Sequence, residues 1–310
     1  MKMGVCGTGR IGVCLTALMV GNNVETTVIA RSQESADRCV GAVDQEFKFL
    51  AEKGLVTAAQ KTAVMKLLTV TTDYRALQGS ELIFEAVAED PDTKAAVYAA
   101  IEDAVDDDTI IASSTSALTP DELCKTMRRP ERFLVAHPFQ PAHLQPLVEL
   151  AGNKQTTPVA MERAKELLEG PLKRQVVVLK QAVPGFIVNR IAQSMFRECI
   201  HLVQEGIAEP ADLDKAIRYA VGMRYASIGL LEYFDDVGFQ LEKNIAQSVY
   251  PSLCRTQDVQ PLVEEGLQTG KTGLKAGMGL YRWEERDIAD YQQRKTEPFL
   301  AIFNWSLPEG

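Results

Sequence analysis

Residues 3–31, which read MGVCGTGRIGVCLTALMVGNNVETTVIAR, decide the fold of the first half of the chain. A short apolar segment leads into the turn Gly7-Thr8-Gly9-Arg10-Ile11-Gly12, and an apolar stretch of helical character continues to about Val20. A second strand is predicted from Thr26 to Ala30. A GxGxxG turn between a strand and a helix is the context in which this pattern binds the pyrophosphate of a dinucleotide. The stretch therefore predicts a dinucleotide-binding βαβ unit.

The three glycines have different roles in such a turn. Gly7 permits the tight bend after the strand, Gly9 lets the backbone approach the pyrophosphate, and Gly12 lets the helix pack closely on the strand. The helix begins with Arg10 and Ile11, where free N–H groups and the positive end of the helix dipole favour an anion. We expect these five residues to bind the cofactor.

The residues after the second strand bear on the choice of cofactor. An acidic residue there binds the adenosine ribose of NAD, whereas an arginine accommodates the 2′-phosphate of NADP. This chain has Arg31 and Ser32, and a guanidinium beside a hydroxyl suits a phosphate. The alternative is that Arg31 stacks on the adenine of NAD. The sequence is compatible with either cofactor, and Arg31 slightly favours NADP.

Predicted strands and helices alternate through LLTVTT, ELIFEAVAED and DTIIASSTSAL, with helical segments at residues 33–68 and 95–105. This rhythm predicts a Rossmann-type, doubly wound, mostly parallel sheet, which binds ligands at the carboxyl ends of its strands. We expect a functional site there, although helix caps and turns account for some polar residues at these ends. The polar residues at the strand ends are Glu85, Glu89, Lys94, Ser114, Ser116 and His137.

The segment AHPFQPAHLQPLVEL, residues 136–150, places His137 and Glu149 twelve positions apart. The apolar residues before His137 predict a strand that ends at the histidine. Three prolines between the two residues exclude a helix and force an extended, turning path. PLVEL predicts a second strand, which returns Glu149 toward His137. An imidazole oriented by a carboxylate is a proton-transfer unit, and an ordinary structural hydrogen bond is the alternative.

The pattern changes at Val183-Pro184-Gly185-Phe186, which follows the apolar segment VVVLK. From Ile187 onward, apolar residues recur every three or four positions and indicate helices. We therefore expect an α/β Rossmann-type domain over residues 1–183 and an all-α substrate and dimerisation domain over residues 184–310. The apolar helix faces favour a homodimer, unless they are buried within the monomer.

Composition narrows the remaining possibilities. The chain has 310 residues, of which 46% are hydrophobic and 24% charged, as in globular domains. No apolar run reaches the roughly 18 residues of a membrane span, and no signal peptide is indicated. Six scattered cysteines without CxxC spacing argue against a metal site and for a reducing cytoplasm. A net charge of -9 disfavours nucleic acids and anionic membranes as partners.

The ordered set of motifs resembles the 3-hydroxyacyl-CoA dehydrogenase family. It comprises GxGxxG, IFEAVAED followed by a lysine, SSTSAL, HPFQP, LVEL, VPGFIVNR and GLKAGMGLY, from residue 3 to about residue 283. Within the family, the chain most resembles the branch that contains lambda-crystallin, L-gulonate 3-dehydrogenase and carnitine dehydrogenase. This similarity lies in the segments AHPFQPAHLQPLVEL and GMRYASIGLLE. The resemblance implies that His137 is the catalytic base and Glu149 its carboxylate partner. It also implies that Ser116 and Asn189 hydrogen-bond the reacting oxygen of the substrate.

By the same resemblance, Glu89 and Lys94 line the nicotinamide end of the cofactor site. Three positions depart from the family's pattern, since Gln140 and Ser114 stand where asparagine is usual and Arg31 replaces an acidic residue. We still expect Ser114 to contact the cofactor and Gln140 to contact the substrate.

The substrate class depends on charge. Residues 44–66 contain four lysines and three acidic residues rather than the lysine-rich patch that a CoA 3′-phosphate would favour. Free 3-hydroxy acids are therefore favoured, and Arg224 in GMRYA is a candidate for binding their carboxylate bidentately. The alternative for Arg224 is a salt bridge with Glu232 or Asp235.

These observations predict an NAD(P)-dependent dehydrogenase that reversibly transfers hydride from the 3-hydroxyl carbon of a 3-hydroxy acid or 3-hydroxyacyl substrate. His137 would act as general base and acid, and Ser116 and Asn189 would stabilise charge on the oxygen. Two alternatives remain: a 3-hydroxybutyryl-CoA dehydrogenase that acts on CoA thioesters, and a non-catalytic, crystallin-like protein that binds a dinucleotide.

Overall fold

The glycine-rich turn joins the first strand of an eight-stranded sheet to the first helix. The structure is a computed structural model and describes residues 1–308. The strands are β1 (Lys2–Cys6), β2 (Glu25–Ile29), β3 (Leu68–Thr71), β4 (Leu82–Glu85), β5 (Ile110–Ser113), β6 (Phe133–Pro138), β7 (Leu147–Gly152) and β8 (Gln175–Leu179). The helices are α1 (Arg10–Gly21), α2 (Gln33–Glu52), α3 (Ala58–Met65), α4 (Pro91–Ala104), α5 (Pro120–Leu123), α6 (Pro158–Glu169), α7 (Val188–Gln204), α8 (Pro210–Ala216), α9 (Met223–Tyr225), α10 (Leu230–Val237), α11 (Phe239–Val249), α12 (Pro261–Gln268) and α13 (Ile288–Leu300).

The strand order in the sheet is β3-β2-β1-β4-β5-β6-β7-β8. Neighbouring strands are parallel except β6 and β7, which are antiparallel. The order reverses between β1 and β4, and such a switch point opens a crevice at the carboxyl ends of the strands. The predicted α/β fold with a doubly wound sheet is therefore confirmed.

Helices cover both faces of this sheet, so its central strands are apolar except at their ends. Consecutive residues of β4 point to opposite faces. Phe84 belongs to the buried apolar cluster that contains Leu18 and Phe47 of α1 and α2, whereas Ile83 belongs to the cluster that contains Tyr98. The sheet thereby holds the carboxyl ends of β1, β4, β5 and β6 side by side at one edge.

Two element bounds differ from the sequence-based expectation. The helix expected over residues 33–68 is interrupted at Gly54, which has a φ of +73°, and the chain restarts as α3 behind a capping box at Thr57. The strand expected over ELIFEAVAED ends at Glu85, because the next free backbone N–H, that of Val87, bonds to the Glu85 carboxylate. In both places a local hydrogen bond or a positive φ overrides the apolar pattern.

The internal contacts divide the chain into two units: Met1–Ile187 together with the segment from Thr296 onward, and Val188–Lys295. The second unit consists of helices and turns, as the sequence predicts. The division falls a few residues after the expected boundary, and the last residues join the first unit. Within residues 1–308, no helix has the length and apolar character needed to cross a bilayer.

The terminal segment packs against the first unit through Trp305, which is buried. Its ring meets Phe47 edge-on, with 5.9 Å between ring centroids, and occupies the space that a Cβ on Gly21 would need. The backbone N–H of Ser306 donates to Asn22 Oδ1 at 3.1 Å. Trp305 thus completes the apolar core beside α1 and α2.

Candidate active site

The glycine turn has the backbone geometry that a dinucleotide requires. Gly7 has a φ of +123°, and a Cβ there would lie 2.3 Å from the carbonyl oxygen of Ala86. A Cβ on Gly12 would lie 2.1 Å from the carbonyl oxygen of Gly7, whereas a Cβ on Gly9 would meet no atom within 4 Å. Gly9 is the N-cap of α1, so open space lies where the first N–H groups of the helix are unpaired. The turn therefore fits a bound pyrophosphate.

The polar residues next to this turn differ in whether their side chains already have partners within the protein. Arg10 lies in the first turn of α1, and its Nη1 is 2.7 Å from Glu46 Oε1. Ser32 caps α2 by accepting a hydrogen bond from the N–H of Ser35 at 3.2 Å. Arg31 is exposed and forms no hydrogen bond or ion pair with any residue in the described range 1–308. Its guanidinium is therefore available to a ligand, whereas the Ser32 hydroxyl already serves the helix.

His137 and Glu149 are direct cross-strand partners in the antiparallel pair β6 and β7. His137 Nδ1 lies 3.0 Å from Glu149 Oε2, and both residues are buried, with relative exposures of 4% and 1%. The other carboxylate oxygen accepts a hydrogen bond from the backbone N–H of Ile187 at 2.9 Å. The pair that the sequence predicted from PLVEL is present at hydrogen-bonding distance.

Two aromatic rings lie next to the imidazole. The ring centroid of Phe139 lies 4.5 Å from that of His137, and Phe186 lies 5.2 Å away. Because a carboxylate only accepts hydrogen bonds, Glu149 requires the proton of neutral His137 to be on Nδ1. Nε2 is then the nitrogen that can accept a proton. Ring orientation and tautomer are both set by the protein.

A buried carboxylate, Glu85, lies where β4 ends. It bonds to Lys94 Nζ at 2.8 and 2.9 Å, to the Tyr98 hydroxyl at 2.7 Å and to the Ser113 hydroxyl at 2.6 Å. These contacts offset the cost of burying an ionised pair. Burial, with a smaller effect of Glu85, raises the pKa of Tyr98 well above its usual range, so the phenol stays protonated and donates.

Lys94, expected to line the cofactor site, is 1% exposed and joins this buried cluster to the loop above it. Its ammonium lies 3.2 Å from Glu89 Oε2, and the Glu89 side chain is 43% exposed. The Thr115 hydroxyl also donates to Glu89. Tyr98, Ser113 and Thr115 were not predicted for this site from the sequence. The available signal was a tyrosine four residues after Lys94 on the same helix.

The remaining expected residues of the first unit lie on neighbouring loops. Ser114 follows β5 directly, and its N–H donates to the Glu85 carbonyl at 2.9 Å. Ser116 is exposed in the same loop. Gln140 is exposed in the loop between β6 and β7, where its Oε1 lies 4.0 Å from Cys14 Sγ. Because β5 and β6 are adjacent parallel strands, these loops and His137 share the edge that carries the glycine turn.

Two expected residues belong to the second unit. Asn189 is half-buried in the first turn of α7. Arg224 is exposed on α9, directly after the π-helical segment Ile217–Gly222, and its guanidinium lies 4.4 Å from the ring centroid of Tyr233. Among residues 1–308 it forms no ion pair with Glu232 or Asp235, so the salt bridge considered as an alternative is absent there.

Fold and site together define the class of protein. A dinucleotide turn and an imidazole oriented by a carboxylate at the same sheet edge are the parts of a nicotinamide-dependent dehydrogenase. The chain belongs to the 3-hydroxyacyl-CoA dehydrogenase family: residues 2–182 match its NAD-binding domain, and residues 185–283 match its C-terminal domain. The family inferred from the motifs is confirmed.

The similar proteins include dehydrogenases named for a free acid and dehydrogenases named for a CoA thioester. The chain is 36% identical over 303 residues to L-carnitine dehydrogenase of Pseudomonas putida, which covers 96% of this chain and 90% of that relative. It is 27% identical over 286 residues to 3-hydroxybutyryl-CoA dehydrogenase of Clostridioides difficile, covering 92% and 100%. The crystal structure of 5-formyl-3-hydroxy-2-methylpyridine 4-carboxylic acid 5-dehydrogenase, an NAD+-dependent dismutase, superposes with a TM-score of 0.85 at 26% identity and covers 97% of this chain and 96% of that one. The expected dehydrogenase class is confirmed, as is the likeness to carnitine dehydrogenases.

Proposed function

We propose that this protein reversibly oxidises the 3-hydroxyl group of a small 3-hydroxy acid to a 3-oxo acid, with His137 as general base and acid. The observation that carries the proposal is the buried His137–Glu149 pair, 3.0 Å apart, at the sheet edge that bears the glycine turn. A protein that only binds a dinucleotide does not need an imidazole oriented by a carboxylate, whereas an enzyme that transfers a proton does.

The chain's own residues account for the proton and for the charge. When bound, the nicotinamide cofactor supplies the hydride acceptor. His137 Nε2 takes the hydroxyl proton while the C–H electron pair leaves as hydride and the C=O bond forms. Glu149 stabilises the imidazolium that results. In the reverse direction, His137 returns this proton to the oxygen, and we assign Ser116 and Asn189 as hydrogen-bond donors to that oxygen.

We infer a free acid rather than a CoA thioester from the distribution of positive charge. Lys61 is paired with Asp44 at 2.7 Å, and the ammonium of Lys53 lies over the ring of Phe49 at 5.7 Å. Two of the four lysines near α2 and α3 are thus engaged by neighbouring side chains. Arg224 is exposed, and its guanidinium edge can pair bidentately with a carboxylate while its face rests on Tyr233. The preceding π-helical segment supports a functional role, because such segments recur at functional sites.

For the cofactor, we propose that NAD is used and that NADP is also accepted. NAD follows from the matched NAD-binding domain. Arg31 supports NADP, because its guanidinium is exposed and has no ion pair within residues 1–308. The site also lacks the acidic residue that would repel a 2′-phosphate at this position.

We further propose a homodimer formed through the helical unit. Within the described residues 188–295, only Ile200 and Gln260 are buried. Large apolar side chains remain exposed, among them Leu231 at 82%, Phe239 at 75% and Met223 at 65%. An exposed apolar surface of this extent is typical of an obligate interface between protomers. Sedimentation equilibrium of a purified sample at micromolar concentration tests this, and a monomer throughout would contradict it.

One panel of substrates tests the function. L-carnitine, 3-hydroxybutyrate, L-gulonate and 3-hydroxybutyryl-CoA are each assayed with NAD and NADP, by absorbance of the reduced cofactor. We expect turnover of at least one free acid and weaker turnover of the thioester. NADH binding, followed by fluorescence, without turnover of any compound would instead favour the non-catalytic alternative.

Arg224→Met tests the substrate class. It should raise KM for the free acid about tenfold or more, since a charge-assisted bidentate bond is lost, and leave KM for the thioester unchanged. Arg218→Met is the matched control, because Arg218 lies on the same helical stretch with its guanidinium over Tyr219 at 5.2 Å. Equal KM values for the free acid in both variants would remove Arg224 from the substrate site.

A further inference from the structure

Thr115 is a buried residue, 2% exposed, in the loop that follows β5. Its hydroxyl accepts hydrogen bonds from the backbone N–H groups of Ala117 at 3.3 Å and Leu118 at 3.1 Å. It donates its own proton to the Glu89 carboxylate. A hydroxyl has one donor and two acceptor sites, and all three are used here. These three hydrogen bonds fix the orientation of the Thr115 side chain, and they also restrain Glu89 and the backbone at Ala117 and Leu118.

The three bonds join two parts of the candidate site. Glu89 lies in the loop after β4, the loop whose Ala86 carbonyl contacts Gly7 of the dinucleotide turn. Ser116 lies inside the turn that the Thr115 hydroxyl closes, because the bonds to residues 117 and 118 span it. In the sheet, β5 stands between β4 and β6, so this loop separates the cofactor turn from His137.

The Glu89 carboxylate is also restrained by the ammonium group of Lys94. Lys94 Nζ lies 3.2 Å from its Oε2 and is itself held by the buried Glu85. Thr115 and Lys94 thus hold one carboxylate from two sides, one through a neutral hydroxyl and the other through a charge. Of the two, only Thr115 also shapes the loop that carries Ser116.

We propose that Thr115 is a positioning residue for the reaction, which sets the place of Ser116 and of Glu89 with one hydroxyl group. The inference rests on the proposed function for the role of Ser116, whereas the effect on Glu89 needs only a bound dinucleotide. Loss of the hydroxyl frees the turn by an ångström or so, and displacement on that scale is costly in an active site.

The experiment compares Thr115→Val, which keeps the shape and removes the hydroxyl, with Thr115→Ser, which keeps the hydroxyl. Thr109→Val is the matched control. Thr109 is also buried, donates to the Ser80 carbonyl at 2.9 Å, and lies before β5, at the opposite edge of the sheet. For each variant we measure Tm, the Kd of NADH by fluorescence, and kcat at saturating NAD with each free acid of the panel that the wild-type protein turns over.

Thr115→Val is expected to lower kcat about tenfold or more and to weaken NADH binding about threefold, while Thr115→Ser stays near wild type in both. Thr109→Val should lower Tm to a similar extent and leave kcat and the Kd of NADH unchanged. A Thr115→Val enzyme that loses stability like Thr109→Val but keeps wild-type kcat and NADH affinity would overturn the proposal. If the wild-type protein turns over none of the free acids in the panel, the proposed function fails, and the NADH titration alone then decides the inference about Glu89.

Discussion

Replacing Glu149 with glutamine probes the proton-transfer pair without changing its shape. The amide oxygen can still accept the N–H of Ile187, as the carboxylate does at 2.9 Å. The amide NH2 group then faces His137 Nδ1, where the wild-type carboxylate oxygen lies 3.0 Å away. An NH2 group needs an acceptor, so the imidazole proton moves to Nε2. The imidazole is then protonated on the atom that has to accept the substrate's proton.

The size of the effect follows from this change of tautomer. General acid–base catalysis contributes about 10²- to 10⁴-fold to a rate, and an inverted tautomer removes most of it. At 1.36 kcal/mol for each factor of ten, this corresponds to about 3–5 kcal/mol of barrier. We expect kcat to fall by this factor while KM for the cofactor stays unchanged, because the glycine turn is not touched.

The assay measures kcat in both directions by absorbance of the reduced cofactor, together with Tm and the Kd of NADH. Glu102→Gln is the matched control. The Glu102 side chain is 2% exposed and also uses both oxygens, accepting the N–H groups of Arg128 at 3.1 Å and Arg129 at 2.9 Å. It lies in α4, away from the strand ends that carry the site, so its variant should lose stability but keep kcat.

Two results would refute the argument. A Glu149→Gln enzyme that keeps kcat within about threefold would show that the carboxylate does not set the imidazole for catalysis. The double variant His137→Gln/Glu149→Gln should be no slower than His137→Gln alone, since Glu149 acts through His137. Multiplicative losses would mean that Glu149 acts independently of His137.

Three further predictions concern the cofactor, the core and the pH dependence of stability. Arg31→Asp should lower kcat/KM for NADP about tenfold or more and leave that for NAD unchanged, because a carboxylate repels the 2′-phosphate; equal changes with both cofactors would contradict this. Gly21→Ala places a Cβ 2.2 Å from the Trp305 ring and should destabilise the protein by about 1–3 kcal/mol, with a shift of tryptophan fluorescence; an unchanged Tm would count against the packing. Burial, with smaller effects of Arg10 and Arg174, lowers the pKa of His143 from 6.5 to about 3, and these effects outweigh Glu46 Oε2, which lies 3.3 Å from Nε2 and favours the protonated form. Between these two pH values the unfolded state alone binds a proton. The stability present above pH 6.5 therefore falls as the pH drops toward 3. At pH 5 this loss is about 2 kcal/mol, and His143→Leu should remove it from urea denaturation curves measured at pH 7 and pH 5; an equal fall in the variant would disprove the assignment.

The sequence predicted the parts of this molecule whose determinants are local. The glycine turn has a fixed spacing, so its place between β1 and α1 follows from residues 3–31 alone. The cross-strand contact of His137 with Glu149 followed from two short apolar segments joined by a proline-rich loop, because such a loop returns the chain antiparallel to itself. In both cases the residues concerned are close in the sequence, so the local structure alone determines their distance in space.

The parts that the sequence did not predict depend on contacts between distant residues. The Glu85 cluster draws Ser113 from another strand, and no spacing rule connects them. Thr115 belongs to a serine- and threonine-rich loop in which its neighbours attracted the functional interpretation. Trp305 returns to α1 and α2 from a distant part of the chain, and the residues around it give no indication of the surface that it covers.

The antiparallel ladder between β6 and β7 has a consequence for how this protein can diversify. Backbone hydrogen bonds fix the register that brings His137 and Glu149 opposite each other, so the length of the connection beyond Phe139 does not set that register. Residues inserted in that connection leave the ladder intact, whereas a slip of one position in either strand would turn Glu149 to the opposite face. A mutant library aimed at new substrates can therefore vary the exposed Gln140, whereas Phe139 beside the imidazole and the buried His143 have to be kept.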